Sequence, residues 1–125
     1  MAYKNIEDKR AFSRQWNRKM SLNPVWREAT NRAARKSWRV LRDRLKAEAY
    51  NILGDKCACC SESEVVFLTI DHVYNDGAVD RARYKRGEAI YRLVVNTHGS
   101  GRYQLLCRNC NWAKSNGGCP HKRLV

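Results

Sequence analysis

Apolar residues recur at near-helical spacing at Ile6, Phe12, Trp16 and Met20, with Asn5 placed to cap the segment and Asp8 three residues on. The pattern predicts a short amphipathic helix. Asn23 followed by Pro24 reads as a new cap with proline at the first helical position, where its missing N–H costs nothing. From there Trp26, Ala29, Ala33, Trp38, Leu41, Leu45, Ala49 and Ile52 keep to one stripe, and Gly54 can end the helix in the left-handed conformation. Arg32, Arg35, Arg39, Arg42 and Lys46 fall largely off that stripe. The period then changes. Residues 65–73 are rich in β-branched and apolar side chains and predict a strand, and Tyr103–Cys107 predicts a second, shorter one. In the long connection between them Asn75-Asp76-Gly77 is a turn signal, and residues 88–95 predict one or two helical turns before Asn96 and Gly99. A short helix is expected after Cys110, through Lys114, ended by Asn116-Gly117-Gly118. There is no internal repeat and no low-complexity tract.

A chain of 125 residues fits one domain with an appendage. The longest apolar run, residues 65–68 continued by Ile70, is far short of the ~20 residues that a membrane span requires, so no membrane partner is expected. The first five residues lack the apolar stretch and small-residue cleavage site of a secretory signal, which predicts a cytoplasmic protein. In that reducing compartment, paired cysteines are expected to bind metal rather than to form disulfides.

Charge divides the chain unevenly. Residues 1–46 carry 14 Lys and Arg against four acids, whereas residues 47–125 carry 11 against eight, and the whole chain stands at +13. A segment of net +10 repels itself when compact and gains free energy beside a polyanion, because each neutralised phosphate releases a condensed counterion. The expected organisation is therefore a basic helical extension over residues 1–46 and a second domain over 47–125. Arg32, Arg35, Arg39, Arg42 and Lys46 are candidate nucleic-acid contacts. Trp16, Trp26 and Trp38 are interleaved with basic residues and form no continuous apolar face of the kind that lies on a membrane.

Cys57 and Cys60, then Cys107 and Cys110, are two pairs with two residues between partners. That spacing lets both thiols of a turn reach one ion, and two such turns supply four ligands. Zn²⁺ is the expected metal, since it accepts four thiolates at about 2.3 Å in a tetrahedron. With all four positions filled the ion is structural, a staple for a part of the chain too small for a large core. Cys59, Cys119 and His121 are left over. Cys119-Pro120-His121 offers part of another site, but no complete second ligand set is apparent, and packing is the default reading for these three.

The strand that ends in Asp71-His72, set between the two cysteine pairs, and the run Leu105-Leu106-Cys107 to Cys110-Asn111 to Lys114 together resemble the HNH endonucleases, especially the small versions found in bacteriophages. The resemblance covers roughly residues 55–121. It implies an α+β chain: a small zinc-stapled ββα-metal domain, treble-clef-like, that cuts phosphodiesters with one catalytic divalent ion. By this resemblance His72 is the general base that takes a proton from the attacking water, a task suited to an imidazole of ordinary pKa near 6.5. Asp71 and Asn111 would hold Mg²⁺ or Mn²⁺, and Lys114, one helical turn beyond Asn111, would contact phosphate. The implied partner is double-stranded DNA, in the bacterial host cell if the gene is a phage's.

Three features complicate the transfer. Adjacent strand residues face opposite ways, so Asp71 and His72 share a site only if the strand ends, twists or bulges there. Arg102 stands where the family has its middle asparagine, which leaves Asn96, or no residue, to brace the loop. Asn111 replaces the last histidine, and its amide oxygen is a suitable hard ligand. One site per chain implies nicking; cutting both strands would need a homodimer or two events. The competing reading is a non-catalytic zinc-stapled module that binds DNA, or RNA as ribosome-associated zinc proteins do, and it leaves the Asp71, His72 and Asn111 grouping as coincidence.

Overall fold

The structure, a computed structural model, describes residues 5–85 and 87–123. Residues 1–4, on which the expectation about export partly rests, lie outside the described residues. The chain divides into two compact units, Met1–Val40 and Leu41–Val125, and the division falls inside one long helix.

The first unit is helical. Helix α1 (Ile6–Met20) starts where Asn5 Oδ1 accepts the Asp8 N–H at 2.8 Å, and it buries no residue. Phe12 and Trp16 stack on its surface with ring centroids 6.4 Å apart. Helix α2 (Pro24–Ile52) starts where Asn23 Oδ1 accepts the N–H groups of Val25 and Trp26 at 3.0 and 3.2 Å. An asparagine cap followed by proline satisfies two of the four orphan donors and removes a third.

Within the second unit the last turns of α2 bury Ala49 and Tyr50. Gly54, at φ +94°, then lets the Asp55 N–H return to the Tyr50 carbonyl at 3.0 Å, closing the helix end. A 3-10 turn (Val65–Phe67) leads into β1 (Leu68–His72), followed by α3 (Gly77–Arg83), α4 (Ala89–Thr97), β2 (Tyr103–Cys107), α5 (Arg108–Ser115) and a 3-10 turn at Pro120–Arg123. The strands pair antiparallel, with Leu68 opposite Cys107 and His72 opposite Tyr103. Helix α5 leaves β2 without a loop and packs on both strands. The architecture is a small α+β arrangement of five helices and one two-stranded sheet among the described residues.

The first strand is shorter than the apolar run that predicts it, and register explains why. Val65–Phe67 would need partners beyond Cys107, where the chain has already turned into α5, so these residues coil into a 3-10 turn with their side chains half or more exposed. Helix α3 is absent from the sequence-based expectation, which sees only a turn at Asn75-Asp76-Gly77.

Two small clusters form the core. One holds Tyr50, Cys57, Leu68, Leu105, Leu106, Cys107, Cys110 and Cys119; the other holds Ala49, Val94 and Tyr103. The Tyr50 hydroxyl donates to the Leu68 carbonyl at 2.9 Å and ties α2 to β1. Half of the larger cluster is cysteine, so its cohesion depends on what those thiols bind. No described helix is long and apolar enough to cross a membrane.

Candidate functional site

His72 closes β1 and faces α3. Its Nε2 lies 2.8 Å from Asp80 Oδ2, the same oxygen that accepts the Tyr103 hydroxyl at 2.7 Å. The two rings meet edge to face, with centroids 5.1 Å apart. Asp80 is buried, which alone would favour its neutral form, yet the bonds from Tyr103 and His72 outweigh burial and hold its carboxyl below the usual range. Burial and that charged neighbour push the Tyr103 phenol up to about 12, so it stays a donor. An ionised carboxylate only accepts, so Nε2 is the nitrogen that donates to Asp80, and in the neutral ring the lone pair is then on Nδ1.

Nδ1 lies over Gly77. A Cβ built there would stand 2.9 Å from Nδ1 and 3.2 Å from Cε1 of His72. Gly77→Ala is therefore expected to push the ring off its rotamer and weaken the bond to Asp80, at a cost of about 1 kcal/mol in stability. Long-range ¹⁵N–¹H NMR of the imidazole checks this: a mixture of tautomers is expected in the variant, against one tautomer in the native chain.

Asp71, the preceding residue, faces the other way, toward β2 and α5. Its Oδ2 accepts from Gln104 Nε2 at 2.8 Å and pairs with the Lys114 ammonium at 2.6 Å. Lys114 also donates to the His72 carbonyl at 2.7 Å. The alternation of a regular strand is thus kept at Asp71 and His72. Asp71, His72 and Asn111 all line one polar cleft of about 500 Å³, together with Asn75, Gly77, Arg81 and Lys114. A second cleft of about 540 Å³ shares Asn111 and Ser115 with it and is lined also by Lys46, Tyr91, Arg108 and Trp112.

The turn after β1 is braced from the next strand's entry. Arg102 donates through Nε and Nη2 to Asp76 Oδ2 at 3.2 and 2.6 Å, and its carbonyl accepts the Val73 N–H at 2.8 Å. Asn75, at φ +58°, makes the reversal, and Asn96 is exposed on α4. Asp80, Tyr103, Gln104 and Arg102 thus hold the cleft's side chains, and of these the sequence marks only Arg102. The available signal for Asp80 is faint: an acid four residues after Asp76, in a segment too short to show a helical period.

The predicted basic contacts are distributed differently. Arg32 pairs with Glu28 at 3.1 Å and Arg42 with Asp43 at 3.3 Å, both in solvent, where such pairs contribute little. Arg35 and Arg39 are exposed on α2, and the Lys46 ammonium lies 5.2 Å from the centre of the Tyr50 ring.

None of the six cysteines is in a disulfide. The sulfurs of Cys57, Cys60, Cys107 and Cys110 gather within 4.8 Å of one another, a set that could hold a zinc ion. The first pair sits in a turn closed by Cys57 N–H to the Glu62 carbonyl at 2.8 Å and anchored to β2 by Ala58 N–H to the Leu105 carbonyl at 2.8 Å. In the second, Cys107 caps α5, and its sulfur accepts the Cys110 N–H at 3.4 Å. Burial opposes ionisation of Cys57, but backbone donors at Cys107, Cys60 and Cys59 outweigh it and bring the thiol down to about 6. Burial among other thiols pushes Cys110 up. The leftover Cys59, Cys119 and His121 also converge on this centre, gathered round Cys110. Comparison of the chain with protein-family models, with curated proteins and with solved structures finds no match.

Proposed function

We propose that this protein is a metal-dependent DNA endonuclease of the HNH type, with β1, β2 and α5 as its ββα-metal unit. The observation that carries the reading is the His72–Asp80 pair: a histidine hydrogen-bonded to a buried carboxylate, on the wall of a polar cleft shared with Asp71 and Asn111. In this reading His72 Nδ1 takes the proton of the attacking water, and Asp80 stabilises the imidazolium that forms. Arg81 and Lys114 are the cleft's cations for the scissile phosphate. The neighbouring cleft, with Lys46, Arg108 and the exposed Trp112, gives the strand a basic, partly aromatic path.

The donors fit a hard divalent cation in kind, since a carboxylate and an amide oxygen line the same cleft. Asp71 and Asn111 would hold Mg²⁺ or Mn²⁺, which when bound neutralises charge developing on the phosphate and the leaving oxygen. Lys114 and a divalent ion compete for the Asp71 carboxylate, so Lys114 exchanges that partner for a phosphate oxygen on substrate binding. Exposed basic residues on α1 and α2 add affinity without sequence information. One cleft per chain gives a nick.

The Asp71–Lys114 ion pair is also the observation that favours a second reading, a zinc-stapled nucleic-acid-binding module in which Asp71 is a structural partner. Supercoiled plasmid separates the two. Zinc-loaded protein with Mg²⁺ or Mn²⁺ is expected to give open circles, and EDTA to suppress them. Intact plasmid that is retarded on a gel supports the module instead.

A further inference from the structure

We infer that the thiol centre is binuclear: one zinc ion on Cys57, Cys60, Cys107 and Cys110, and a second on Cys59, Cys110, Cys119 and His121, with Cys110 Sγ bridging the two. The inference extends the structural-zinc reading and does not depend on cleavage. A tetrahedral ion with Zn–S near 2.3 Å and Zn–N near 2.0 Å sets its ligands about 3.8 Å apart for two sulfurs and about 3.5 Å for sulfur and nitrogen. In the second set Sγ of Cys119 lies 3.3 Å from Cys59 and 3.6 Å from Cys110. His121 Nδ1 lies 3.2 Å from Cys119, 3.3 Å from Cys110 and 3.9 Å from Cys59. Five of the tetrahedron's six edges thus fall near ligand–ligand spacing. In the first set Sγ of Cys60 and Cys107 lie 3.7 Å apart, and all four sulfurs lie within 4.8 Å of one another.

Local structure explains how these residues meet. Cys59 lies between the two ligands of its own turn. After α5, Gly117 and Gly118 adopt φ of +96° and +99°, a pair of left-handed steps open to glycine, and the Gly118 N–H bonds back to the Ala113 carbonyl at 2.9 Å. The chain is thereby folded back so that Cys119 enters the core and the 3-10 turn at Pro120–Arg123 aims His121 Nδ1 at the sulfurs. Seven donors for eight coordination positions require one shared ligand, and Cys110, common to both sets and 1% exposed, is the one placed to share. Six thiolates round two dications keep the metals' repulsion screened by the bridging sulfur.

The test is the metal content of the full chain, saturated with zinc and freed of excess by gel filtration, read by native mass spectrometry. Two zinc ions per chain are expected, falling to one in Cys59→Ser and in the solvent-exposed His121→Ala, with the fold retained by near-ultraviolet circular dichroism. With ¹¹³Cd in place of zinc, the Cys110 β-protons are expected to couple to two metal nuclei. One ion per native chain, two ions retained in both variants, or a mass lower by two hydrogens from a Cys59–Cys119 disulfide each overturns the second site. A chain that takes up no zinc would instead remove the first site as well.

Discussion

Removing zinc with a strong chelator is expected to unfold residues 41–125 outright. Four of the eight side chains in the larger core cluster are cysteines, and the smaller cluster holds three residues, so little apolar burial remains once the thiols lose their ion. Structural zinc binding is worth about 10–16 kcal/mol in small peptides, as much as or more than the about 5–15 kcal/mol net stability of a typical domain. The chelated chain should lose the near-ultraviolet signal of the buried Tyr50 and Tyr103 while α1 and the exposed part of α2 keep some far-ultraviolet helicity. Acid acts in the same direction, because metal ligands must be deprotonated. Zinc release and loss of the fold, followed with a chromogenic chelator and by near-ultraviolet circular dichroism, are therefore expected to occur together as the pH falls. A domain that stays folded with no metal would show that the thiols only pack.

The second large effect concerns His72 and the acid behind it. His72→Ala is expected to cut the cleavage rate by about 10²–10⁴-fold, the usual worth of a positioned general base, with affinity for DNA changed by less than about twofold. Asp80→Asn removes no group from the cleft, yet an amide nitrogen can donate to Nε2 and shift the imidazole proton to Nδ1, the wrong atom for a base. Its expected loss is of similar size, about 10²–10⁴-fold. The pH profile distinguishes this from a general loosening of the fold. A displaced tautomer lowers the rate and alters the acidic limb, whereas partial unfolding scales the whole profile. Tyr103→Phe is the milder companion, since it leaves the His72–Asp80 bond in place and takes one donor from Asp80.

These effects fall on residues of very unequal visibility in the sequence. The capped helix starts at Asn5 and Asn23, the end of α2 at Gly54 and the whole of β2 are legible because short-range chemistry decides them: a side-chain oxygen near orphan donors, a residue tolerant of positive φ, an apolar run of strand length. Residues 65–67 mislead, because strand propensity cannot reveal that the partner strand has already ended. The cysteine pairs are legible by spacing. Cys59 and Cys119 are not, because 60 positions separate them and only the turn at Gly117-Gly118 brings Cys119 back. Asp80 is invisible for a related reason: its role follows from where α3 packs, and a seven-residue helix leaves no periodic trace. Asp71, His72 and Asn111 are found through resemblance to a motif, and the structure adds that the three line one cleft with Asp71 paired to Lys114.

The most direct test of the central claim is the initial rate at which supercoiled plasmid becomes open circular, with native chain and His72→Ala compared at equal zinc content, equal DNA occupancy and saturating Mg²⁺. General-base catalysis by His72 predicts open circles from the native chain and a rate at least about 10²-fold lower from the variant. Equal rates for the two proteins would contradict it, and so would a plasmid that both proteins bind and neither cuts.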